Sequence, residues 1–291
     1  MGCADIIPGV SGGTIAFITG IYDELVQTIA HYDHRLIRLL LKREWASFLD
    51  RANLSFLLPL FMGIGMAIIS MAKLMHMLMH DYPIYTWSFF FGLILASASY
   101  ILRKEDRFTL RDWLIVAAGS SVGVAVVSLV PQDLGHSMPV IFFSGMIAIC
   151  AMILPGISGS FLLLILGQYA FVTGTLKNPT SLVSLQVIAV FGLGCLLGLS
   201  TFSKFLHFCM NQHRRFTTLL MCGFMFGSLK KVWPWKEVLE TKTIRGKTYN
   251  MLEINILPHL DSATIISICL ILLGLLMVFG LEYGSRYFAR D

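Results

Sequence analysis

The sequence predicts an all-α, multi-pass membrane protein made of two inverted repeats, each with a broken, re-entrant helical hairpin followed by spanning helices. Three observations lead to this prediction. Only 13% of the 291 residues are charged and 56% are hydrophobic, with a mean hydropathy of +0.75, whereas soluble domains carry about 25% charged residues. Long apolar runs recur along the chain. The motif Pro-Gly-x-Ser-Gly occurs twice, each time inside an apolar run.

The first element is a hairpin over residues 1–30, and its counterpart covers residues 138–176. The second stretch is too long for one span and fits two helices that meet at a turn. Between them, residues 31–51 place Leu and Ile at helical spacing among Arg and Lys residues. That pattern predicts an amphipathic helix lying in the headgroup layer, and a partner-binding helix is the alternative left open.

Six apolar stretches predict spanning helices, near residues 54–79, 84–102, 111–130, 183–207, 215–230 and 263–284. The first repeat is expected to cover residues 1–130 and the second 138–284. Basic loops alternate with uncharged turns, which gives a consistent orientation by the positive-inside rule. The stretch 231–262 is expected on the outer side of the membrane. It is interpreted as a small folded excursion, a β-hairpin through Arg245-Gly246-Lys247.

The net charge of +5 is explained by these loop Lys and Arg residues, so no nucleic-acid partner is expected. The six cysteines lie in or beside apolar runs and none forms a Cys-x-x-Cys pair. They are interpreted as small apolar packing residues, so that neither a disulfide framework, a metal site nor a cofactor is expected. The oligomeric state is left open, and a homo-oligomer remains an option.

The two motifs belong to an internal repeat. When Ala4–Tyr22 is aligned with Ala151–Tyr169, nine of the 19 positions are identical. A weaker echo pairs Lys73 with Lys204, and then matches Thr86, Gly92 and Ser97 with Thr217, Gly223 and Ser228. Three predicted spans separate the hairpins, and because three is odd the second copy is expected to be upside down. Such repeats with broken helices are typical of secondary transporters, although a channel can share the layout.

Each motif places helix-breaking residues where a spanning helix normally avoids them. Proline removes a backbone donor and glycine allows unusual backbone angles, so backbone N–H groups are freed at membrane depth and need a partner. A helix that resumes after a break presents an N-terminus that attracts anions, phosphate especially. The alternative is a simple kink with small residues for close packing. The candidate binding residues are Pro8, Gly9, Ser11, Gly12, Gly13, Thr14, Pro155, Gly156, Ser158, Gly159 and Ser160.

Four charged residues complete the candidate list. Lys73 and Lys204 lie at matched positions inside predicted spans, and each either binds an anion or extends its amine to the membrane surface. Asp5 precedes the first break, where it either carries a coupling proton or caps exposed backbone N–H groups. Glu24 is a second coupling candidate, although it is expected near the cytoplasmic boundary.

The stretch ADIIPGVSGGTIAFITGIYDELV, followed by AMILPGISGSFLLLILGQY, resembles the bacterial polyprenyl-phosphate transporter family, also called PopT-type. The resemblance covers nearly the whole chain. It implies that the protein returns undecaprenyl phosphate, the lipid carrier of cell-wall and peptidoglycan precursors, from the outer to the inner leaflet of the bacterial cytoplasmic membrane. It also implies that the head group binds at the two motifs, with Asp5, Tyr22 and Glu24 in the same family stretch.

The chain departs from the family pattern in two ways. Members usually carry a further apolar helix before the first motif, so either the start of this chain is mis-assigned or truncated, or the first hairpin lacks one arm. The second copy has Met152 opposite Asp5 and Ser160 opposite Gly13. The site is therefore expected to be two-fold in shape but not in charge.

Three functions follow from these patterns. The leading one is a lipid-phosphate flippase that holds the phosphate head at the membrane midplane between two helix N-termini. The second is an ion-coupled carrier or channel for a soluble anion. The third is a prenyl-pyrophosphate phosphatase, which is disfavoured because the apolar spans hold almost no carboxylates apart from Asp5.

Overall fold

The computed structural model describes residues 1–291 apart from 6–10, 33, 104, 106, 133, 178–180, 245–246, 260 and 289–291. In this part of the chain it is predominantly helical, which confirms the predicted all-α class. The helices are α1 Gly2–Asp5, α2 Gly12–Ile18, α3 Tyr22–Ala30, α4 His34–Leu41, α5 Trp45–Ala52, α6 Leu54–Asp81, α7 Pro83–Arg103, α8 Leu110–Val127, α9 Met138–Ile153, α10 Gly159–Ile165, α11 Tyr169–Lys177, α12 Leu182–Gln212, α13 Arg214–Val232 and α14 Ser262–Phe288.

Among the described residues, five helices are long and apolar enough to cross a membrane, namely α6, α7, α8, α12 and α14. The protein is therefore a multi-pass membrane protein. The predicted sixth span, 215–230, is also a helix but is not one of these five. The charged ends of α13 explain why it is not counted with them, because the helix begins with Arg214 and Arg215 and has Lys230 and Lys231 in its last turn.

The excursion after α13 is the predicted β-hairpin. Strand β1, Lys236–Ile244, pairs antiparallel with β2, Lys247–Asn255. The glycine of the expected turn, Gly246, lies outside the described residues. At the base of the hairpin the Lys236 Nζ lies 3.5 Å from a Glu253 carboxylate oxygen and 4.7 Å from the centre of the Trp87 ring.

The predicted interfacial helix over 31–51 is two helices rather than one. Helix α4 ends at Leu41 and α5 begins at Trp45, and the backbone of Arg43 between them adopts a left-handed conformation with φ 56°. Such an angle is uncommon for a residue with a Cβ and cannot continue a right-handed helix.

The chain divides into two compact units. The first comprises Met1–Ala72 and Pro131–Arg214, and the second comprises Lys73–Val130 and Arg215–Asp291. Each unit therefore combines a segment of the predicted first repeat with a segment of the second. The repeat boundaries and the opposite orientation of the repeats stay predictions.

In the first unit, α12 packs along α9 and also contacts α3. The close approach of α9 and α12 depends on glycine: a Cβ at Gly145 would lie 2.5 Å from the Phe191 carbonyl oxygen, and one at Gly194 would overlap the carbonyl oxygen of Phe142. Both sequence motifs lie in this unit, so its packing positions the candidate site.

In the second unit, matched glycines make matched contacts. A Cβ at Gly92 in α7 would overlap the Ile271 carbonyl oxygen of α14. A Cβ at Gly223, the aligned residue in α13, would overlap the Val116 carbonyl oxygen of α8. Each of the two aligned helices thus uses the same glycine to approach a neighbour.

Candidate functional site

The first break separates α1, which ends at Asp5, from α2, which begins at Gly12. Two side chains hold the start of α2. The Ser11 Oγ accepts a hydrogen bond from the Gly13 N–H at 3.0 Å, and an Asp5 carboxylate oxygen accepts one from the Gly12 N–H at 2.8 Å. Asp5 therefore caps backbone donors, one of the two roles expected for it. Pro8 and Gly9 of the motif lie outside the described residues.

The second break runs from the end of α9 at Ile153 to the start of α10 at Gly159. Gly156 has φ 98°, a conformation that strongly favours glycine. Ser158 has the same backbone shape as Ser11, with φ −99° and ψ 134° against −109° and 134°. Its hydroxyl, however, pairs with that of Ser160 at 2.7 Å. The two serines share a backbone conformation but differ in how their hydroxyls are used.

Hydrogen bonds join the two breaks directly. The Ser11 hydroxyl donates to the Leu154 carbonyl oxygen at 3.1 Å, across 143 positions of sequence. In the opposite sense, the Gly156 N–H donates to the Thr14 Oγ1 at 2.9 Å. The first break therefore supplies hydroxyl partners for a carbonyl and an N–H that the second break has freed, which answers the demand that broken helices create in an apolar setting.

Tyr22, the first residue of α3, strengthens the same junction. Its hydroxyl donates to the Ile153 carbonyl oxygen at 3.1 Å, and its ring meets Phe17 edge-on at 4.9 Å. The carbonyls at the end of α9 have no partner within their own helix, so these hydroxyls satisfy groups that the break exposes. The sequence placed Tyr22 in the family stretch but gave it no binding role; its repetition as Tyr169 was the available signal.

The junction is buried and tightly packed. Ser11, Thr14, Tyr22 and Ser158 are all almost fully buried. A Cβ on Gly13 would lie 2.7 Å from the Ile153 carbonyl oxygen, so a larger residue there would push the breaks apart. What results is a tight contact rich in hydroxyl groups, in which Pro155 and Gly156 are also buried.

Each short helix after a break is itself ended by a glycine. Gly20 has φ 77° and Gly167 has φ 71°, and these residues are aligned in the repeat. After Gly20, the Ile21 N–H reaches back to the Ala16 carbonyl at 3.0 Å. This bond is the signature of a Schellman ending. The two-helix hairpin expected at 138–176 therefore contains a third helix, because α10 and α11 are separated at Gly167.

The asymmetry expected between the copies is present at the atomic level. Asp5 brings a carboxylate to the first break, whereas its counterpart Met152 is apolar and 44% exposed. Gly159, which is aligned with Gly12, packs against α9, since a Cβ there would lie 2.5 Å from the Ala148 carbonyl oxygen. In the described part of the junction, negative charge is thus found on one side.

The remaining candidates lie elsewhere. Lys73 and Lys204 are exposed and fall in different compact units. Glu24 accepts a hydrogen bond from the Asn53 side chain at 3.2 Å, at the start of α6. Any role of these three residues in binding or coupling stays a prediction.

Comparison with known proteins defines the family. The family model described as VCA0040-like, undecaprenyl phosphate translocase-like, matches residues 1–249. A polyprenyl-phosphate transporter of Vibrio cholerae serotype O1 is 40% identical over 290 residues, covering 97% of this chain and 93% of that protein. A polyprenyl-phosphate transporter of Staphylococcus aureus is 33% identical over 248 residues, covering 80% of this chain and 83% of that protein. No solved structure gives a significant match.

These matches confirm the resemblance carried by the two motifs. They are all to transporters, so the chain is a transporter and not an enzyme, and the phosphatase alternative is set aside. With 40% identity to one relative along nearly its whole length, and with a family model that spans both broken helices, the chain belongs to the undecaprenyl phosphate translocase-like family.

Proposed function

We propose that this protein moves polyprenyl phosphate across the bacterial cytoplasmic membrane, returning undecaprenyl phosphate from the outer to the inner leaflet. Family membership and the names of the two relatives support the substrate class. The proposed location of the site rests on the junction, where two breaks distant in sequence meet through buried hydroxyl and amide groups.

The phosphate head binds at this junction, while the prenyl tail stays in lipid. A phosphate that leaves water needs replacement hydrogen-bond donors. Ser158 and Ser160 now pair with one another, and both hydroxyls can turn to phosphate oxygens at the cost of that single bond. The Ser11 hydroxyl can do the same by releasing the Leu154 carbonyl. Opening the junction and binding the head group are therefore one event.

Asp5 is the coupling candidate at this site. Its carboxylate occupies the Gly12 N–H, which is a donor that an incoming phosphate would use. The two anions compete for the same region and repel each other. Protonation of Asp5 removes the repulsion and weakens its hold on the amide. Proton uptake by Asp5 would thus favour head-group binding.

Alternating access comes from movement of one repeat against the other, as in other transporters built from inverted repeats. The matched contacts of Gly92 and Gly223 support structural equivalence of the two copies. Lys73 and Lys204 are the matched cations that would attract the head group as it approaches.

The experiment is the double variant Ser11→Ala with Ser158→Ala, assayed in cells for exposure of the lipid carrier on the outer surface. Loss of both hydroxyls should raise outer-leaflet carrier without lowering the protein level. Ser181→Ala is the matched control, because Ser181 caps α12 by accepting from the Ser184 N–H at 3.0 Å and belongs to neither motif. Unchanged carrier exposure in the double variant would count against the site.

The soluble-anion alternative is tested in the same purified protein. Liposomes that lack prenyl lipid should show neither anion uptake nor electrical current if the substrate is a lipid phosphate. Current or uptake in those liposomes would favour the carrier or channel instead.

A further inference from the structure

Helices α4 and α5 present an apolar stripe that nothing in the first unit covers among the described residues. Leu41, Trp45 and Leu49 are 78%, 57% and 50% exposed. The stripe does not belong to a span: α5 has eight residues, which reach about 12 Å, and it contains Asp50 and Arg51. Its exposure therefore needs a different explanation from that of the lipid-facing residues of the long helices.

The stripe is bordered by positive charge. Trp45 and Leu49 are four residues apart and so share one face of α5, and Leu41 precedes them at the end of α4. Arg38 and Lys42 beside the stripe are both exposed. A wide apolar face flanked by Lys and Arg is the pattern of a helix that lies in the surface of an anionic membrane.

The position of α5 directly before α6 indicates that lipid covers the stripe. A single residue, Asn53, separates the end of α5 from the first residue of α6, which is one of the five helices able to cross a membrane. The stripe must therefore lie close to the level at which the chain enters the bilayer. We propose that α4 and α5 dock on anionic phospholipid, with Leu41, Trp45 and Leu49 inserted below the head groups and Arg38 and Lys42 beside the lipid phosphates.

Contacts link this docking surface to the candidate site. The Asn53 side chain donates to the Thr28 Oγ1 at 3.0 Å, and the Tyr32 hydroxyl donates to the Ala52 carbonyl at 3.0 Å. Both contacts hold the α5–α6 boundary against α3 and the residues that follow it. At its other end α3 begins with Tyr22, which bonds the second break. Docking of α4 and α5 would thus set the position of the first broken helix; this half of the inference rests on the proposed function.

The docking is tested on the full-length protein in phosphatidylcholine vesicles, with and without one quarter phosphatidylglycerol, using brominated lipids that quench tryptophan. The difference between wild type and Trp45→Phe isolates the Trp45 signal. We expect Trp45 to be quenched more strongly when phosphatidylglycerol is present, and we expect added salt to reduce that gain. Arg38→Gln with Lys42→Gln should abolish the gain, whereas Arg111→Gln, at an exposed basic residue of α8, should keep it.

Equal quenching of Trp45 in both kinds of vesicle, or no quenching in either, would overturn the docking. A protein partner as the occupant would give the second of these results. Prenyl-phosphate translocation in the same vesicles tests the link between this docking and the candidate site. Translocation should be faster with phosphatidylglycerol for wild type but not for the Arg38 and Lys42 double variant. Equal rates would overturn the link. If no vesicle shows translocation, the proposed function fails, and the docking is still decided by the Trp45 signal.

Discussion

The backbone N–H of Gly156 donates to the side-chain oxygen of Thr14 at 2.9 Å, across 142 positions of sequence. This bond joins the second broken helix to the first within one compact unit. The Thr14 hydroxyl, which the sequence predicts to bind a ligand, thus also bonds the backbone of the other break. The junction is therefore a structural contact as well as a candidate binding site.

Replacing Thr14 by Val should destabilise the protein. The substitution keeps the shape but leaves the buried Gly156 N–H without its acceptor, at a cost of about 1–3 kcal/mol. Thermal unfolding in detergent measures the effect, and Thr14→Ser should restore most of the loss. Thr19→Val is the matched control, since the Thr19 hydroxyl bonds the Ile15 carbonyl within its own exposed turn. Equal stability of the Thr14 and Thr19 variants would contradict the importance of the bond.

Alanine at Gly92 and at Gly223 should destabilise the protein to a similar extent. Each added Cβ would overlap a carbonyl oxygen of a neighbouring helix, and overpacking of this kind costs roughly 1–3 kcal/mol. At Gly63 and Gly192 a Cβ would meet nothing within 4 Å. Alanine at those two positions serves as the control and should be neutral or stabilising. A large effect at only one of the matched glycines would argue against equivalent roles in the repeat.

Asn at position 5 separates the two roles of Asp5. Its amide oxygen can still accept the Gly12 N–H, so the variant should fold, but it cannot take up a proton. We expect translocation by Asp5→Asn in vesicles to lose its response to an imposed pH gradient. Glu24→Gln provides the comparison at the second coupling candidate. If Asp5→Asn responds to the gradient as wild type does, Asp5 is a cap and not the coupling group.

Lys236 should make stability depend on pH. Burial at the base of the β-hairpin lowers the pKa of Lys236 to about 8, against its usual value near 10.5. Between these values the unfolded chain binds a proton that the folded chain does not, so the free energy of unfolding rises with pH across this window. The full rise is roughly 3 kcal/mol. Lys236→Met should lack this rise in thermal unfolding from pH 8 to 10.5. Parallel curves for the two proteins would show that Lys236 does not titrate there.

Much of the fold follows from hydrophobicity alone. Each predicted span begins within about a turn of the first residue of an observed helix, because long apolar runs have few alternatives in a bilayer. The break at Arg43 could not be predicted, since neither glycine nor proline marks it. Helix α13 is predicted to be a span because its centre is apolar, and its four terminal Arg and Lys residues explain why it is not one of the five long apolar helices.

The positions of the two breaks were predictable, but the contacts between them were not. The repeated motif identified both breaks, and Asp5 could be expected to cap backbone donors because a carboxylate there needs partners. Periodicity and spacing do not reveal which break each hydroxyl faces, so the bonds of Ser11 and Tyr22 to the end of α9 emerged only from the structure. The ends of the short helices at Gly20 and Gly167 could have been predicted, because these two glycines are aligned in the repeat.

The central claim is that the junction of the two breaks binds the phosphate head of a prenyl lipid. Native mass spectrometry of the purified protein tests it most directly. Wild type should retain a polyprenyl phosphate, and the Ser11→Ala, Ser158→Ala double variant should lose it while the Ser181→Ala control keeps it. Equal retention of that lipid by all three proteins would contradict the claim.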